Sequence, residues 1–419
     1  MMLNNYICAV DIGSSKIAGI VVEIKRKHIA NIFFDTFPSK GVKRGVIVDS
    51  AGMVGCISRL LKNLKVKSGI NIKFIHTNIS GLDIITKHSR AIIPLAERGN
   101  KVITLLDIHK VNEQAAILAA NLEEEIIHQL PIDYTIDSRN NILNPLGLYS
   151  HRLEVDLYLV CAKLSLIQSL TQVINQSGYE IKKLFFSGLA TNRGIFDKES
   201  QSGVSIFCDI GSDIIELLIF KDGFLQDIAI LPLGGDDVTA ELSDALKIPF
   251  DLAEDTKRSY GIIGDYSQIK EDKEILVKKS NLYKPIKQKL VSEIITAKTK
   301  SICQAIKDSL DKKVDLSQVN NFVVVGRAML LEGFLEMLEN TLGATLKIGR
   351  ITDPDIGPWV NKDNNLSGQG YLTYLTALGM ICDILKGRRS QILSHIQQPP
   401  QNLILKTINR IKEVYQEYF

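Results

Sequence analysis

Residues 6–23, YICAVDIGSSKIAGIVVE, contain the pattern that decides the fold. Apolar, β-branched stretches flank the turn Asp11-Ile12-Gly13-Ser14, which predicts two strands joined as a tight hairpin. Residues 203–220, GVSIFCDIGSDIIELLIF, repeat the arrangement, and the turn Asp209-Ile210-Gly211-Ser212 follows the first one by 198 residues. One such turn is typical of an ordinary hairpin, but two matched copies predict paired halves around a shared ligand site.

The two turns have the chemistry of a phosphate site. Gly13 and Gly211 lack a Cβ atom, so backbone amides can approach an anion closely. Lys16 adds a positive charge, and Asp11 and Asp209 suit a hydrated Mg²⁺, which prefers carboxylate and phosphate oxygens. Further hydroxyl donors in these turns are Ser14, Ser15 and Ser212. The alternative is two ordinary Asp-x-Gly hairpins without a ligand.

A third glycine turn lies in residues 321–342, NFVVVGRAMLLEGFLEMLENTL. The pattern predicts a strand, a turn at Gly326 and an amphipathic helix that ends at Leu342, before Gly343. A strand–turn–helix unit places amides where a nucleoside or phosphate docks. Alone, it is equally typical of an ordinary connection between a strand and a helix.

Composition excludes several classes of protein. The chain has 419 residues, 45% hydrophobic and 23% charged, which is typical of a folded protein of two to four domains. Its formal net charge of +3 argues against a dedicated nucleic-acid binder. The six cysteines form no Cys-x-x-Cys pair, so we expect a reduced, cytosolic protein. Neither a signal peptide nor a membrane-spanning stretch is expected, and the seven histidines suggest no catalytic Ser-His-Asp or Cys-His set.

The motifs together resemble the actin/Hsp70/sugar-kinase superfamily, and within it the FtsA family of bacterial cell-division actin homologues. The resemblance extends through almost all of residues 1–386. It implies an α/β, actin-like, two-domain ATP-binding fold with a 1C subdomain insertion and a C-terminal amphipathic helix. The segments that carry it are Ser39–Asp49, Asn78–Gly81, Leu130–Asp137, Asn144–Gly147, Pro232–Thr239 and Ala253–Lys257.

The family's four subdomains imply a division of this chain. The expected ranges are 1–82, 161–200 and 368–386 for subdomain 1A, 83–160 for 1C, 201–239 and 311–367 for 2A, and 240–310 for 2B. Within 1C, Asp107 is expected to cap a helix with the apolar face Ile108, Val111, Ala115, Leu118, Ala119 and Leu122. Strands are expected at Glu125–Leu130, Tyr134–Ser138 and Leu153–Val160. Lys270–Lys279 is expected to be a solvated loop.

By position, the resemblance implies ATP and Mg²⁺ as cofactors, with Asp11 and Asp209 toward the metal. The implied nucleotide contacts are Gly13, Ser14, Ser15, Lys16, Gly211, Ser212, Gly234, Gly235, Glu254, Lys257, Gly326 and Arg327. The second turn departs from the family's Asp-Ile-Gly-Gly-Gly-Thr-Thr-Asp, because Asp213 stands where amides should meet phosphate. Like charges at short range weaken binding unless Mg²⁺ intervenes. Hydrolysis is therefore expected to be weak or absent.

The last residues form a separate unit. Residues 387–402 are polar, contain Pro399-Pro400 and suit a linker. Residues 403–419 place apolar side chains on one face of a predicted helix, which suits either docking on protein or an interfacial membrane helix. We expect the membrane helix, as the resemblance also implies. Its apolar face is Ile404, Ile408, Ile411, Tyr415 and Tyr418, widened by Phe419.

The resemblance implies a protein that polymerises on the cytoplasmic face of the cell membrane and anchors FtsZ filaments at the division site. Expected partners are FtsZ through 2B, further copies of the chain, membrane lipid through the C-terminal helix and other division proteins through 1C, but no nucleic acid. The alternatives are a pilus-assembly-type actin homologue and a small-molecule kinase of the same superfamily. The insertion and the tail favour the first function over the kinase, and the segment 39–49 and the tail favour it over the pilus-assembly homologue.

Overall fold

A computed structural model describes residues 6–26, 28–96, 99–195, 202–265, 267, 269–270, 273–279, 282–363 and 366–397. The strands in this part of the chain are β1 (Tyr6–Ile12), β2 (Lys16–Lys25), β3 (His28–Pro38), β4 (Val42–Lys43), β5 (Val46–Ile47), β6 (Phe74–Ile79), β7 (Ile84–Pro94), β8 (Lys101–Val102), β9 (Glu124–Ile136), β10 (Arg139–Ile142), β11 (Tyr149–Ser150), β12 (Arg152–Lys163), β13 (Glu180–Phe186), β14 (Val204–Ile210), β15 (Ile215–Lys221), β16 (Phe224–Leu231), β17 (Glu274–Lys279), β18 (Leu282–Lys287), β19 (Val319–Val325) and β20 (Lys347–Ile348). The α-helices are α1 (Ser50–Ser68), α2 (Leu105–Leu118), α3 (Leu164–Gln176), α4 (Ser187–Ile195), α5 (Gly235–Leu246), α6 (Phe250–Tyr260), α7 (Gln288–Asp311), α8 (Phe334–Leu342), α9 (Gly357–Lys362) and α10 (Leu375–Gln397).

Two five-stranded sheets repeat one topology. The first has the order β13-β6-β1-β2-β3 and the second the order β20-β19-β14-β15-β16. In each sheet an antiparallel hairpin, β1–β2 or β14–β15, continues on one side into a parallel strand, β6 or β19. The duplication predicted from the two Asp-Ile-Gly-Ser turns is thus present in the fold. We call the half built on the first sheet lobe 1 and the half built on the second sheet lobe 2.

Both faces of the central strands are covered. In β1, Ile7 and Ala9 belong to the large core that also contains Phe207 of β14, whereas Cys8 and Val10 belong to a second core beneath α1 and α3. Strands buried on both faces need continuous apolar runs. This requirement explains why the first strand alternates so little in hydropathy. The two turns are held at one edge of this packed body.

Residues 84–163 form an insertion with its own sheet, ordered β10-β9-β12-β7, and helix α2 packs on it. The two strands predicted at Glu125–Leu130 and Tyr134–Ser138 are one strand, β9. Its pairing with β12 shifts register beside Pro131. A bulge of this kind accommodates a residue that cannot donate to the ladder. The prediction of two separate strands was therefore wrong, because the irregularity stays inside one strand.

Helix α2 begins earlier than predicted. Its N-cap is Thr104 and not Asp107, which is three residues further on and completes a capping box. The Thr104 amide donates to Asp107 Oδ2 at 3.0 Å, and the Asp107 amide donates to Thr104 Oγ1 at 3.3 Å. Leu118 and Leu122, predicted on the buried face, are 64% and 96% exposed. The helix ends at Leu118, so its periodicity no longer applies beyond that residue.

The loop predicted at Lys270–Lys279 contains a strand. Glu274–Lys279 pairs with Leu282–Lys287 as the hairpin β17–β18. Ile275 and Val277 are buried, whereas Leu276 between them is 61% exposed. The alternation of a half-buried strand is present in the sequence, but the surrounding lysines and acids obscured it.

The third glycine turn has the predicted order of elements. β19 ends at Val325, Gly326 has a φ of +98°, and α8 ends at Leu342 before Gly343 in the left-handed conformation. The helix starts later than the sequence suggested, because a 3₁₀ turn at Ala328–Leu330 comes first.

All six cysteines are buried and free of disulfides. In the part of the chain that the structure describes, no helix combines the length and apolarity that crossing a bilayer requires. The predicted membrane helix at 403–419 lies outside the described residues.

Candidate functional site

The turns of the two hairpins face one cleft between the lobes, with a volume of about 440 Å³. Of the predicted nucleotide contacts, all but Gly234 line it, and Asp11 and Asp209 line it together. Gly234 is the N-cap of α5 and immediately precedes the lining residue Gly235 in the chain. The structure therefore brings the predicted site residues of both halves into one place. The predicted membrane residues, from Ile404 to Phe419, are outside the described chain.

The first turn is closed by its own backbone and positioned by a buried amide. The Gly13 amide donates to the Lys16 carbonyl at 3.0 Å. Asn78, at the end of β6, accepts from the Ile12 amide at 2.7 Å and donates to Asp11 Oδ1 at 2.8 Å. One side chain thus holds both the turn and the carboxylate that precedes it.

Lys16 is the cation of the first turn. Its Nζ is 3.5 Å from Asp11 Oδ2 and also donates to the Thr373 carbonyl. Burial lowers the pKa of Lys16, and the Asp11 carboxylate opposes this effect. A partly desolvated ammonium group in this place favours an anion that enters the cleft.

The second turn uses its surrounding amides differently. The amides of Gly235 and Asp236 donate to the carbonyls of Gly211 and Ser212, at 3.0 and 2.8 Å. A Cβ atom on Gly234 would lie 2.3 Å from the Ser212 carbonyl oxygen, so this close approach requires glycine. These amides stabilise the turn itself.

Asp213, the residue that departs from the family pattern, makes a contact between the lobes. Its Oδ2 accepts from the backbone amide of Arg44 at 3.0 Å. The Arg44 guanidinium lies 3.9 Å from Asp237 Oδ1, a further contact of lobe 1 with lobe 2. Burial and the Asp213 carboxylate raise the pKa of Asp236 to about 7. The acidic turn therefore contacts the segment 39–49 of lobe 1.

Carboxyl groups converge at the base of the cleft. Burial and the neighbouring Asp11 raise the pKa of Asp209 to about 7. Glu216 is its cross-strand partner on β15 and is only 3% exposed. Burial, followed by the charge of Asp209, raises the pKa of Glu216 to about 8. The raised pKa values favour the protonated forms of Glu216 and Asp209, which lowers the negative charge that faces an entering anion.

Glu216 is a site residue that the sequence analysis missed. It accepts a hydrogen bond from Ser80 Oγ, which belongs to lobe 1, and therefore connects the lobes at the base of the cleft. A signal was present: the family pattern Asp-Ile-Gly-Gly-Gly-Thr-Thr-Asp ends in an acid at the position that Glu216 occupies. The altered residues of the turn obscured this retained carboxyl group.

The predicted residues of α6 are bound to one another. Lys257 is 4% exposed, and its Nζ lies 2.5 Å from Glu254 Oε2 and 3.0 Å from the Gly235 carbonyl oxygen. Arg258 Nε lies 2.7 Å from Glu254 Oε1. Within the described chain, Arg327 makes no ion pair, and burial followed by the charge of Arg258 lowers its pKa. Of the four basic residues that line the cleft, Lys16 and Arg327 are the two without a pairing to Glu254.

The donor set fits a metal only in part. In the described ranges, no cluster of three or more His, Cys, Asp or Glu side chains is arranged to hold an ion. Magnesium is usually bound through one or two carboxylates, water and substrate phosphates, not by a complete protein cage. Asp11 and Asp209 match that requirement, with the cation Lys16 beside them. The residues present therefore fit Mg²⁺ together with a phosphate ligand better than Mg²⁺ alone.

Two family models match the chain over these features. The model described as "Cell division protein FtsA" matches residues 206–375, which carry the second and third turns. The model described as "SHS2 domain inserted in FTSA" matches residues 81–161, which contain the insertion. The chain belongs to the FtsA family. The predicted resemblance is confirmed, and the kinase and pilus-assembly alternatives are not supported as the family of this chain.

Curated relatives match over most of the chain. "Cell division protein FtsA" of Borreliella burgdorferi is 24% identical over 352 residues, which cover 83% of this chain and 85% of that protein. The Bacillus subtilis protein of the same name is 24% identical over 391 residues, 93% of this chain and 85% of that protein. That of Escherichia coli K12 is 22% identical over 389 residues, 87% of this chain and 92% of that protein. The chain is thus an actin-like cell-division protein.

Solved structures show the same fold. The structure titled "PilM-PilN type IV pilus biogenesis complex" gives a TM-score of 0.61 at 15% identity, covering 90% of this chain and 98% of that chain. MreB5 of Spiroplasma citri bound to AMPPNP gives 0.51 at 12% identity, covering 94% and 99%. At such identities the likeness concerns the actin-like fold alone.

Proposed function

We propose that the protein polymerises on the cytoplasmic face of the cell membrane at the division site and attaches FtsZ filaments there, with ATP as the bound nucleotide. The observation that carries the proposal is that two hairpin turns, each beginning with an aspartate, converge on one cleft between the lobes in a member of this family. In this function the nucleotide acts mainly by binding, because ligands that contact both lobes shift the population toward the closed arrangement. Recruitment of other division proteins is assigned to the insertion.

The charges of the cleft lining determine what ATP binding requires. Six acidic and four basic residues line it, so the lining has a formal charge of −2 when all are ionised. A triphosphate needs compensation there, and Mg²⁺ supplies it by neutralising phosphate and carboxylate charge. Asp11 and Asp209 are the residues that we propose for the metal. Lys16 and Arg327 are the basic residues that we propose for phosphate and base, respectively.

A titration with a fluorescent ATP analogue tests this assignment. We expect wild-type protein to bind in the presence of Mg²⁺, and Lys16→Ala to bind at least about tenfold more weakly, equivalent to about 1.4 kcal/mol. Asp213→Asn should bind several-fold more tightly, because it removes a carboxylate from the second turn. Lys25→Ala, which removes only an exposed pair with Glu23, is the matched control. Absence of binding by the wild type would refute the nucleotide assignment.

Attachment to the membrane is assigned to residues 403–419. This segment has a net charge of only +1, so burial of its apolar face must supply most of the affinity. One helix binds weakly, but a polymer that presents many of them gains avidity. Polymerisation and membrane attachment are therefore coupled in this proposal.

Pelleting with lipid vesicles tests the tail. Ile408→Glu should reduce binding strongly, because it places a charge on the apolar face. Asn409→Glu adds the same charge one residue further on, away from the apolar face of the predicted helix, and should have little effect. Equal losses in the two variants would contradict an amphipathic helix, and unchanged binding after deletion of 403–419 would remove the tail from the function.

The surface that binds FtsZ is assigned to the outer face of the hairpin β17–β18. Leu276 and Lys287 are exposed there, whereas Ile286 on the other face is buried. An apolar contact beside a lysine suits a tail that is partly acidic. We expect Leu276→Ser with Lys287→Glu to weaken the binding of a labelled FtsZ tail peptide by at least about tenfold in fluorescence anisotropy. Leu122→Ser, in the insertion, is the control, and equal binding by both variants would exclude this face.

A further inference from the structure

The segment Asn78–Gly81, at the end of β6, contacts several parts of the molecule at once. The Asn78 amide accepts from Ile12 N, donates to Asp11 Oδ1 and donates to Ser187 Oγ at 2.8 Å. It is 5% exposed, so these bonds replace water almost completely. Breaking one of them leaves a buried polar atom unpaired, which is costly. Asn78 therefore fixes the Asp11 carboxylate relative to the start of α4.

The same connection continues into the insertion. Ser187 is the first residue of α4 and directly follows Phe186, the last residue of β13. The Phe186 amide donates to His128 Nε2 at 2.9 Å. His128 lies on β9, inside the insertion. Three side chains, those of Asn78, Ser187 and His128, and one peptide bond thus join the cleft carboxylate Asp11 to a strand of the insertion.

His128 is suited to a fixed connection. Burial lowers its pKa to about 4, followed by the effect of the Lys183 cation, so the ring is neutral at physiological pH. The hydrogen bond from the Phe186 amide requires the tautomer with the proton on Nδ1, which leaves the Nε2 lone pair free to accept. The Phe185 ring centroid is 6.0 Å from that of His128, which restricts the imidazole further. The acceptor is therefore constantly available to the Phe186 amide.

β9 also contacts the second lobe. It packs against β13 of lobe 1 and β16 of lobe 2. Leu130 and Ile132 of this strand pack on the large core that both lobes share. A change in the angle between the lobes must therefore either move β9 or break its contact with one of them. The insertion therefore contacts both lobes through β9, and these contacts respond to the angle at which the lobes enclose the cleft.

We propose that Asn78 is a positioning residue for Asp11 and that, through Ser187 and His128, it couples occupation of the cleft to the position of the insertion on the body. The inference rests on the proposed function, because it takes a nucleotide with Mg²⁺ as the ligand of the cleft. Its physical basis is that Asp11 and Ser187 share one amide group. Displacement of the Asp11 carboxylate by a ligand must move Asn78, and Asn78 must then move or lose Ser187.

Hydrogen exchange on the full chain tests the coupling. Exchange of β9 and β13 amides is measured by mass spectrometry with and without AMPPNP and Mg²⁺. In the wild type, we expect saturating nucleotide to slow exchange in these strands at least about fivefold. His128→Leu should retain nucleotide affinity within about threefold and lose the change in β9, because it has no acceptor for the Phe186 amide. His128→Gln, which restores an acceptor, should recover much of it.

The remaining variants separate coupling from folding. Asn78→Ala should lose both nucleotide affinity and the β9 response, whereas Ser187→Ala should lose mainly the response. His109→Leu replaces an exposed histidine of the same insertion and is the control, with a wild-type response expected. If His128→Leu does not fold, Ser187→Ala carries the same test, because it changes only one hydroxyl group.

The outcomes are distinguishable from failure of the proposed function. If the wild type binds no nucleotide, the proposed function and this inference both fail. If it binds but β9 exchange stays constant, or if His128→Leu and Ser187→Ala respond like wild type, the inference is overturned and nucleotide binding stands. If His128→Gln behaves like His128→Leu although both bind nucleotide, His128 is an anchor of the insertion only, and the inference is likewise overturned.

Discussion

Replacement of Glu216 by glutamine tests the electrostatics of the cleft base. The pKa of Glu216 is about 8 in the folded protein, against 4.5 as its ordinary value. The folded state therefore binds more protons than the unfolded state between these values, and stability must fall as pH rises through that window. One pKa unit corresponds to about 1.4 kcal/mol. Relative to low pH, the raised pKa of Glu216 thus lowers the free energy of unfolding by about 1 kcal/mol at pH 5 and by about 4 kcal/mol at pH 8.

Glu216→Gln removes this titration and keeps an oxygen that accepts from Ser80 Oγ. We expect the free energy of unfolding of the variant, relative to wild type, to increase by about 3 kcal/mol between pH 5 and pH 8. Urea unfolding at several pH values provides the measurement. Glu336→Gln, at an exposed position of α8, is the control and should follow wild type. Parallel curves for Glu216→Gln and wild type would show that Glu216 is ionised in the folded protein and would refute the reasoning.

Three further changes address the cleft walls and the core. Gly326→Ala should destabilise lobe 2 by at least about 2 kcal/mol in urea unfolding, because the residue has a φ of +98° and its Cβ would lie 2.2 Å from the Ile210 carbonyl oxygen; stability equal to wild type would contradict it. Lys257→Met should cost about 3 to 5 kcal/mol by the same measurement, since it leaves the Glu254 carboxylate without its buried partner, and the additional change Glu254→Gln should restore part of the loss. Phe207→Ala should lower the free energy of unfolding by about 3 to 5 kcal/mol, because the ring is fully buried in the large core; a loss below about 1 kcal/mol in a thermal or urea melt would show that the core relaxes around it.

The repeated turn was the most informative feature of the sequence. Spacing and hydropathy predicted both hairpins, and chemistry predicted that Asp11 and Asp209 face one cleft, as they do. These features are local: each depends on a strand, a turn and a few residues on either side. The departure at Asp213 was also visible from the sequence, but its contact with the Arg44 amide was not, because that bond joins residues 169 positions apart.

The errors have a common physical origin. The two strands expected at Glu125–Leu130 and Tyr134–Ser138 are one strand, because a bulge in the pairing with β12 accommodates Pro131, and only the partner strand reveals this. The contacts of Lys257 with Glu254 and with the Gly235 carbonyl were likewise not visible from the sequence. Glu216 was missed because its role depends on burial and on Ser80 of the other lobe. Sequence patterns identify elements well, but they do not show which polar groups satisfy one another across the fold.

The buried cysteines are native reporters of local opening in each lobe. Burial raises the pKa of Cys8 and Cys382 in the first lobe, and that of Cys303 in the second lobe to about 12. Alkylating reagents attack the thiolate, so each sulfur should react only when its surroundings transiently open. Peptide-resolved alkylation under native conditions would then measure the opening free energy of each half separately. A molecule built from two similar halves thereby contains its own means of showing which half opens first.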